Sequence, residues 1–208
     1  MRYSSVVTVT PPAAEPVTLA EAKLWAKIDG TDEDALCASL LTAAIESAEQ
    51  YTHRAFINRT VRFTIDAPRC FWADNLPDGV YDLPISVLSG ALPESIKLPL
   101  EPVVSVTSVT TYSTGNAASV YGASNYYVDT GSGRLVLNET ASWPSDIRQR
   151  NACEVVYVAG YGATSASVPA PIKTAILMHF AKMYDGRIYC DMPEGCMKML
   201  NQYKVYGL

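Results

Sequence analysis

The chain has 208 residues, of which 49% are hydrophobic, and this length and composition indicate a folded globular protein. Its formal net charge of -5 argues against a general binder of nucleic acid or of anionic membranes, because such proteins carry a clustered positive field. No run reaches the ~18 apolar residues of a membrane span, and the N-terminal MRYSSVVTVTPP lacks the apolar core of a signal peptide. We therefore expect the protein in the cytoplasm, or in a particle that is assembled there.

The sequence starts with a Pro-rich leader, residues 1–16, which we expect to be an extended arm whose order depends on a partner. A helix over 18–29 follows, because Thr18 and Glu21 form a capping box. Gly30 is expected to end this helix. Its predicted buried stripe is Leu19, Ala22, Trp25, Ala26 and Ile28.

A longer helix is predicted over 32–55, with Thr31 and Asp34 as a variant capping box and acidic residues near the positive end of the helix dipole. Its apolar stripe is Leu36, Leu40, Leu41, Ala44, Ile45, Ala48, Tyr51 and Ala55, whereas Glu46, Glu49 and Gln50 fall outside it. The short connection between the two helices predicts a helical hairpin over 17–56.

The period then changes to the alternation of strands, which predicts an antiparallel β-rich region over 59–162. Its predicted parts are a strand with Val61, Phe63 and Ile65 on one face, an irregular excursion over 67–92, strands at 96–100 and 103–112, a hairpin over 126–137 and a strand over 153–158. A last helix lies within 169–186, starts at Pro171 and ends at Gly186. The predicted fold class is therefore α+β, with residues 1–186 as one domain.

Few residues suggest reaction chemistry. The five cysteines include no C-x-x-C pair, so we expect reduced thiols, with Cys37 and Cys153 as small buried residues. His53 and His179 lack metal-ligand spacing, and each is expected on a helix surface or half-buried. The acidic run at 32–34 is explained by the helix start. We therefore predict no catalytic residue, no metal site and no cofactor.

Residues 187–208 form a tail that contains Pro193 and Gly195, so it is not expected to continue the last helix unbroken. The tail is too apolar to be a solvated extension and therefore needs a surface to cover. Two surfaces are open to it: a partner protein, or the core of its own subunit.

Several stretches together resemble the head–tail connector (adaptor, or head-completion) proteins of tailed bacteriophages and phage-like particles. They are EPVTLAEAKLWAKID leading into DEDALCASLLTAAIESAEQYTHRAF, then LPLEPVVSVTSV, VVYVAGYG and VPAPIKTAILMHFAKMYDGR. The resemblance implies a non-enzymatic ring, commonly of twelve copies, that sits below the portal in the virion neck and prolongs the DNA channel. The implied partners are other copies of the chain, the portal protein, a tail-side connector or tail terminator protein, and double-stranded DNA in passive contact; no membrane is involved.

The same resemblance implies that the tail, residues 187–208, docks on the portal and becomes ordered on assembly. The candidate docking residues are Arg187, Ile188, Tyr189, Met192, Lys198, Tyr203, Lys204 and Tyr206. Two other classes of protein stay open at this point. One is another ring component of a virion, such as a tail-completion protein, and the other is a small hydrolase, which would need a convergent polar pocket.

Overall fold

The computed structural model describes residues 4–67, 92–187 and 190–205, and within them it contains four α-helices and eight strands. The helices are α1 (Leu19–Ala26), α2 (Asp34–Thr52), α3 (Ala170–Gly186) and α4 (Glu194–Leu200). The strands are β1 (Ser4–Thr10), β2 (Arg59–Ile65), β3 (Ser95–Lys97), β4 (Val103–Tyr112), β5 (Ala118–Val120), β6 (Tyr126–Asp129), β7 (Arg134–Leu137) and β8 (Cys153–Ala159). The predicted α+β class is confirmed.

The chain forms two compact units, and neither is a continuous stretch of sequence. The β-unit consists of Met1–Thr10, Thr60–Pro99 and Val103–Val158. The helical unit consists of Pro11–Arg59, Leu100–Pro102 and Ala159–Leu208. The predicted excursion over 67–92 lies outside the described residues except for its two ends, Ala67 and Leu92, which are both buried in the β-unit.

In the β-unit, a five-stranded sheet has the order β1-β2-β8-β4-β5. The predicted face of β2 is confirmed, because Val61, Phe63 and Ile65 are all buried. At the edge of the sheet, β1 pairs antiparallel with β2, so part of the predicted arm has a partner in its own chain. The next strand of the sheet, β8, alternates buried and half-buried residues along its whole length, as a strand between two neighbours in a sheet should.

A second, three-stranded sheet has the order β3-β7-β6 and contains the predicted hairpin, which is confirmed. The turn after β6 is closed by the Asp129 carboxylate, which accepts hydrogen bonds from the backbone N–H groups of Gly131 and Ser132 at 3.1 and 3.2 Å. Strand β3 is shorter than predicted. It ends at Lys97, because the chain then passes Pro99, which lacks an N–H donor.

The helical unit is built around one apolar core to which all four helices contribute. At the start of α1 the predicted capping box is confirmed: the Thr18 N–H donates to Glu21 Oε2 at 2.7 Å, and the Glu21 N–H donates to Thr18 Oγ1 at 3.2 Å. The predicted end of this helix is wrong. Lys27 adopts a left-handed φ of 57° and closes the helix at Ala26, so Gly30 is not its cap.

The start of α2 also differs from the prediction. Glu33 is the N-cap and its side chain makes no cap hydrogen bond, so the variant capping box of Thr31 and Asp34 is wrong. The Asp34 carboxylate instead accepts from Lys23 Nζ at 2.5 Å, which links the first two helices of the predicted hairpin. The helix ends at Thr52, where exposed His53 adopts a left-handed φ of 55°.

Two polar residues are more buried than the sequence pattern predicts. Glu49 does not fall outside the buried surface of α2: it forms an ion pair with Arg59 and accepts a hydrogen bond from the Phe56 N–H at 2.9 Å. Burial raises the pKa of the Glu49 carboxyl, and the Arg59 charge opposes that effect. His179 was expected on a helix surface or half-buried, but it is fully buried in α3, and its Nε2 lies 3.1 Å from the Cys190 carbonyl oxygen.

Candidate docking surface

The described part of the C-terminal tail, residues 190–205, lies on the helices of its own unit. Helix α4 packs against α2 and α3, and it buries Cys196 and Leu200 completely. Met192 and Tyr203 pack at the margin of the same core. Of the two surfaces open to the tail, the described residues therefore cover the core of their own subunit.

The local sequence explains why α4 forms where it does. Pro193 precedes its first turn, and its carbonyl accepts a hydrogen bond from the Met197 N–H at 3.1 Å. Glu194 lies in the first turn, where the helix dipole favours a carboxylate. Lys198 lies one turn later, and its Nζ forms an ion pair with Glu194 Oε1 at 2.8 Å. The predicted break between the last long helix and the tail is thus confirmed, with a short helix beyond it.

Three hydrogen bonds and one cation–π contact hold the end of the tail to residues 51–54, at and just after the end of α2. The Val205 N–H donates to the Thr52 carbonyl at 3.0 Å. Arg54 Nε donates to the Tyr203 carbonyl at 2.5 Å. The Tyr51 hydroxyl donates to Asn201 Oδ1, also at 2.5 Å. The Lys204 ammonium lies 4.4 Å from the centroid of the Tyr51 ring, a cation–π distance.

At the other end of the tail, three side chains join the end of α3 to the start of α2. The Tyr184 hydroxyl donates to Glu33 Oε2 at 2.5 Å, and Arg187 Nη2 lies 2.6 Å from Glu33 Oε1. The Tyr184 hydrogen bond, aided by Arg187, lowers the pKa of the Glu33 carboxyl below its usual value. The same hydrogen bond raises the pKa of Tyr184. The ionised carboxylate is therefore the form that this cluster stabilises.

The predicted docking residues divide into three groups. Arg187, Lys198 and Lys204 are basic, and each contacts a side chain of its own subunit as described above. Met192 and Tyr203 are partly buried against the core. The third group, Ile188, Tyr189 and Tyr206, lies outside the described residues. The side chains of Arg187 and Lys198 nevertheless keep 63% and 71% of their surface exposed, so both also face outward.

The sequence stripe missed an exposed apolar pair on α1. Leu24 is 81% exposed and Trp25 is 48% exposed, although Trp25 was predicted to be buried. They border a shallow groove of about 420 Å³ that is also lined by Val17, Lys173 and Leu177. Leu24 lies outside the predicted stripe. An apolar residue in that position was the signal in the sequence that α1 has an exposed apolar surface.

Burial perturbs the thiols of three of the described cysteines. Burial raises the pKa of the Cys153 thiol to about 12 and also raises the pKa values of Cys37 and Cys196, so these thiols stay protonated at neutral pH. Cys37 and Cys153 are buried, as predicted. No three His, Cys, Asp or Glu side chains of the described residues are grouped as a metal site. Within the same residues, no helix has the length and apolar character needed to cross a membrane.

Comparison with solved structures shows the same fold in three chains of gene transfer agent (GTA) particles. One, from the virion of a native GTA particle, is 21% identical, has a TM-score of 0.71, and is matched over 98% of this chain and 96% of its own length. A second comes from the neck of an empty GTA particle computed with C6 symmetry, with 21% identity, a TM-score of 0.70 and coverage of 99% and 97%. A third comes from the neck of a native GTA particle computed with C12 symmetry, with 21% identity, a TM-score of 0.68 and coverage of 98% and 97%.

Comparison with curated proteins gave no match. A comparison with protein families matches residues 16–150 to the family described as phage gp6-like head–tail connector protein. The match begins just before the capping box of α1 and ends shortly before β8, so it spans both the helical hairpin and most of the β-unit. Since it extends over more than half of the sequence, the chain belongs to the phage gp6-like head–tail connector protein family.

Proposed function

We propose that this protein is a structural connector, without enzymatic activity, that forms a closed ring of about twelve copies in the neck of a phage or phage-like particle. The ring lies below the portal, extends the DNA channel and joins the capsid to the tail. Membership of the connector family carries the proposal. The likeness of nearly the whole fold to chains from GTA necks computed with C6 and C12 symmetry supports it.

The charges of the chain suit a channel through which duplex DNA slides. A protein that held phosphates through many Lys and Arg contacts would bind DNA tightly and would oppose its movement. In the described residues, many basic side chains are already neutralised within the subunit; examples are Arg59 with Glu49, Arg62 with Glu154 and Arg150 with Asp66. The net charge of -5 further reduces attraction for phosphate. Contact with DNA is therefore passive in this proposal.

The docking proposal for the tail takes a specific form in this fold. The tail, residues 187–208, meets the portal, and its described part, residues 190–205, does so through outward-facing side chains while already folded on its own subunit, rather than by ordering on assembly. Within the tail, Arg187 and Lys198 are described basic residues that combine a contact within the subunit with large exposure. A partner surface with carboxylates would complement them, because long-range attraction between opposite charges steers association.

Native mass measurement, alone and after mixing with portal-bearing heads that lack the connector, tests the function. We expect a closed ring, or assembly that requires the portal, and heads that then accept tails. A chain that binds isolated tails but not heads would support the tail-completion alternative. A lone monomer that turns over a substrate would support the hydrolase alternative and overturn the proposal.

Charge reversal tests the docking surface. Lys198→Glu should reduce attachment to portal-bearing heads while leaving the melting temperature almost unchanged, because this side chain is exposed. Lys182→Glu is the matched control, since Lys182 is an exposed lysine on α3 outside the tail. Equal attachment of both variants and the unmodified chain would remove Lys198 from the docking surface.

A further inference from the structure

The five-stranded sheet of the β-unit has two open edges. Its order places β1 at one end and β5 at the other, and no strand of the described residues pairs with the outer side of either. An open edge presents a row of unpaired backbone N–H and C=O groups, which is a template for pairing with another chain. Soluble proteins usually protect such edges with charges, prolines or a covering segment.

The edge at β1 carries little of this protection. The strand reads Ser-Ser-Val-Val-Thr-Val-Thr, so it contains no charged residue and no proline. Val6, Val7 and Val9 are 42–52% exposed. Val6 lies opposite Phe63, on the face that β2 buries, yet it stays exposed itself. The apolar face of the sheet therefore continues to its edge without a cover in the described part of the chain.

The edge at β5 has the same character. All three of its residues, Ala118–Val120, are exposed, and Val120 reaches 73%. The segment around it, residues 113–125, contains no charged residue. Its inner side pairs with β4 in the register Thr110 to Val120, so only the outer side is available to a partner.

We propose that neighbouring copies of this chain are joined by antiparallel or parallel pairing of β1 from one copy with β5 from the next. The inference rests on the proposed ring. A ring needs a head-to-tail contact between two different surfaces of the same chain, whereas a contact of one surface with itself closes into a pair. The sheet supplies two such surfaces: both strands are uncharged, and the outer side of each pairs with no other strand among the described residues. Pairing them would satisfy both edges in every copy and make one continuous sheet.

Disulfide trapping in the assembled ring tests this pairing. Residues opposite each other on adjacent strands have Cα atoms about 4.5–5.5 Å apart, which suits a disulfide. Cysteine is placed at Val6, Val7 or Val9 and is combined, in the same chain, with cysteine at Ser119 or Val120. After mild oxidation we expect at least one combination to give a ladder of covalent multimers, which each single variant and the unmodified chain do not give.

The outcomes separate this inference from the proposed function. A ring that forms but yields no ladder with any combination overturns the strand pairing and leaves the ring intact. A covalent dimer from a β1 cysteine alone would mean that β1 pairs with itself, which also overturns it. Absence of a ring for the unmodified chain, even with portal-bearing heads, overturns the proposed function.

A matched pair of lysine variants gives a second test. Val120→Lys places a charge on the outermost strand, and Val104→Lys places the same charge on an exposed residue of β4 that lies outside the stretch paired with β5, Thr110–Tyr112. We expect the Val120→Lys chain to lose the ring at concentrations where the Val104→Lys chain assembles. Equal assembly of two variants that melt like the unmodified chain would contradict the proposed role of β5.

Discussion

Replacement of Leu200 by alanine measures whether the tail belongs to the subunit before assembly. Leu200 is fully buried where α4 meets the helical core, so the substitution removes buried methyl groups and leaves a cavity. Such changes destabilise proteins by about 2–5 kcal/mol. For a chain of this size, each kcal/mol lowers the melting temperature by about 2–4 °C. A loss near 3 kcal/mol therefore corresponds to a decrease of about 6–12 °C in the transition of the helical unit.

The assay is thermal unfolding of the isolated subunit, followed by circular dichroism at a helical wavelength. Lys198→Ala is the control on the same helix, because it removes only an exposed ion pair worth a few tenths of a kcal/mol. We expect this control to melt within about 2 °C of the unmodified chain. If Leu200→Ala also melts there, the tail is not packed in the free subunit, and the original expectation that it becomes ordered on assembly would be favoured.

Three further substitutions follow from the contacts. Because the folded pKa of Glu33 is lowered, the contribution of its carboxylate to stability is present above pH ~4.5 and is lost as pH falls through the folded pKa. The difference in melting temperature between the unmodified chain and Glu33→Gln should therefore shrink from pH 6 to pH 3. A difference that stays constant over this range would contradict the prediction. Arg59→Met leaves the buried Glu49 carboxylate without its ion-pair partner and should lower the free energy of unfolding, measured with denaturant, by about 3–5 kcal/mol. Adding Glu49→Gln to this variant should restore part of the loss. A double variant that is no more stable than Arg59→Met would refute the buried pair. Gly160→Ala should lower the free energy of unfolding by at least about 2 kcal/mol, because Gly160 has a φ of 147° and an added Cβ would lie 2.5 Å from the backbone nitrogen of Asn58. Gly115→Ala is the control: its added Cβ would meet no atom closer than 3.8 Å, so the free energy of unfolding should change by no more than about 0.5 kcal/mol.

The sequence predicts correctly those parts of the fold that are determined by residues close together in the chain. The capping box of Thr18 and Glu21 is complete within four residues, and its hydrogen bonds need no other part of the chain. The buried face of β2 and the hairpin over 126–137 follow from alternation and from glycines in the turn, which are equally local signals.

Two of the errors occur where a residue from another element competes for a side chain. Asp34 has the right type and position for a capping box, but Lys23 of the preceding helix binds its carboxylate. The periodicity of α2 predicts Glu49 as a surface residue, but its carboxylate forms an ion pair with Arg59 of the following strand. A hydrophobic period reports which face of a helix is apolar, and it carries no information about an ion pair formed across the core.

The candidate docking surface shows the same limit. The apolar composition of the tail required a surface to cover, and composition is identical whether that surface belongs to the subunit or to a partner. The choice depends on whether α2 and α3 present a complementary face, which is a tertiary property. Contacts such as the Val205 N–H with the Thr52 carbonyl join residues that are far apart in sequence, so no local pattern announces them.

The discontinuity of the two units has a consequence for synthesis of the protein. The core of the helical unit draws α1 and α2 from the start of the chain and α3 and α4 from its end, with residues 53–169 between them. At ~5–20 residues per second, the ribosome needs on the order of ten seconds to make that interval. During this time α3 and α4, which cover α2 in the finished unit, have not yet been made. Nascent chains and C-terminally truncated fragments therefore present a hydrophobic helical hairpin to chaperones, and neither unit can be expressed alone from one uninterrupted stretch of the gene.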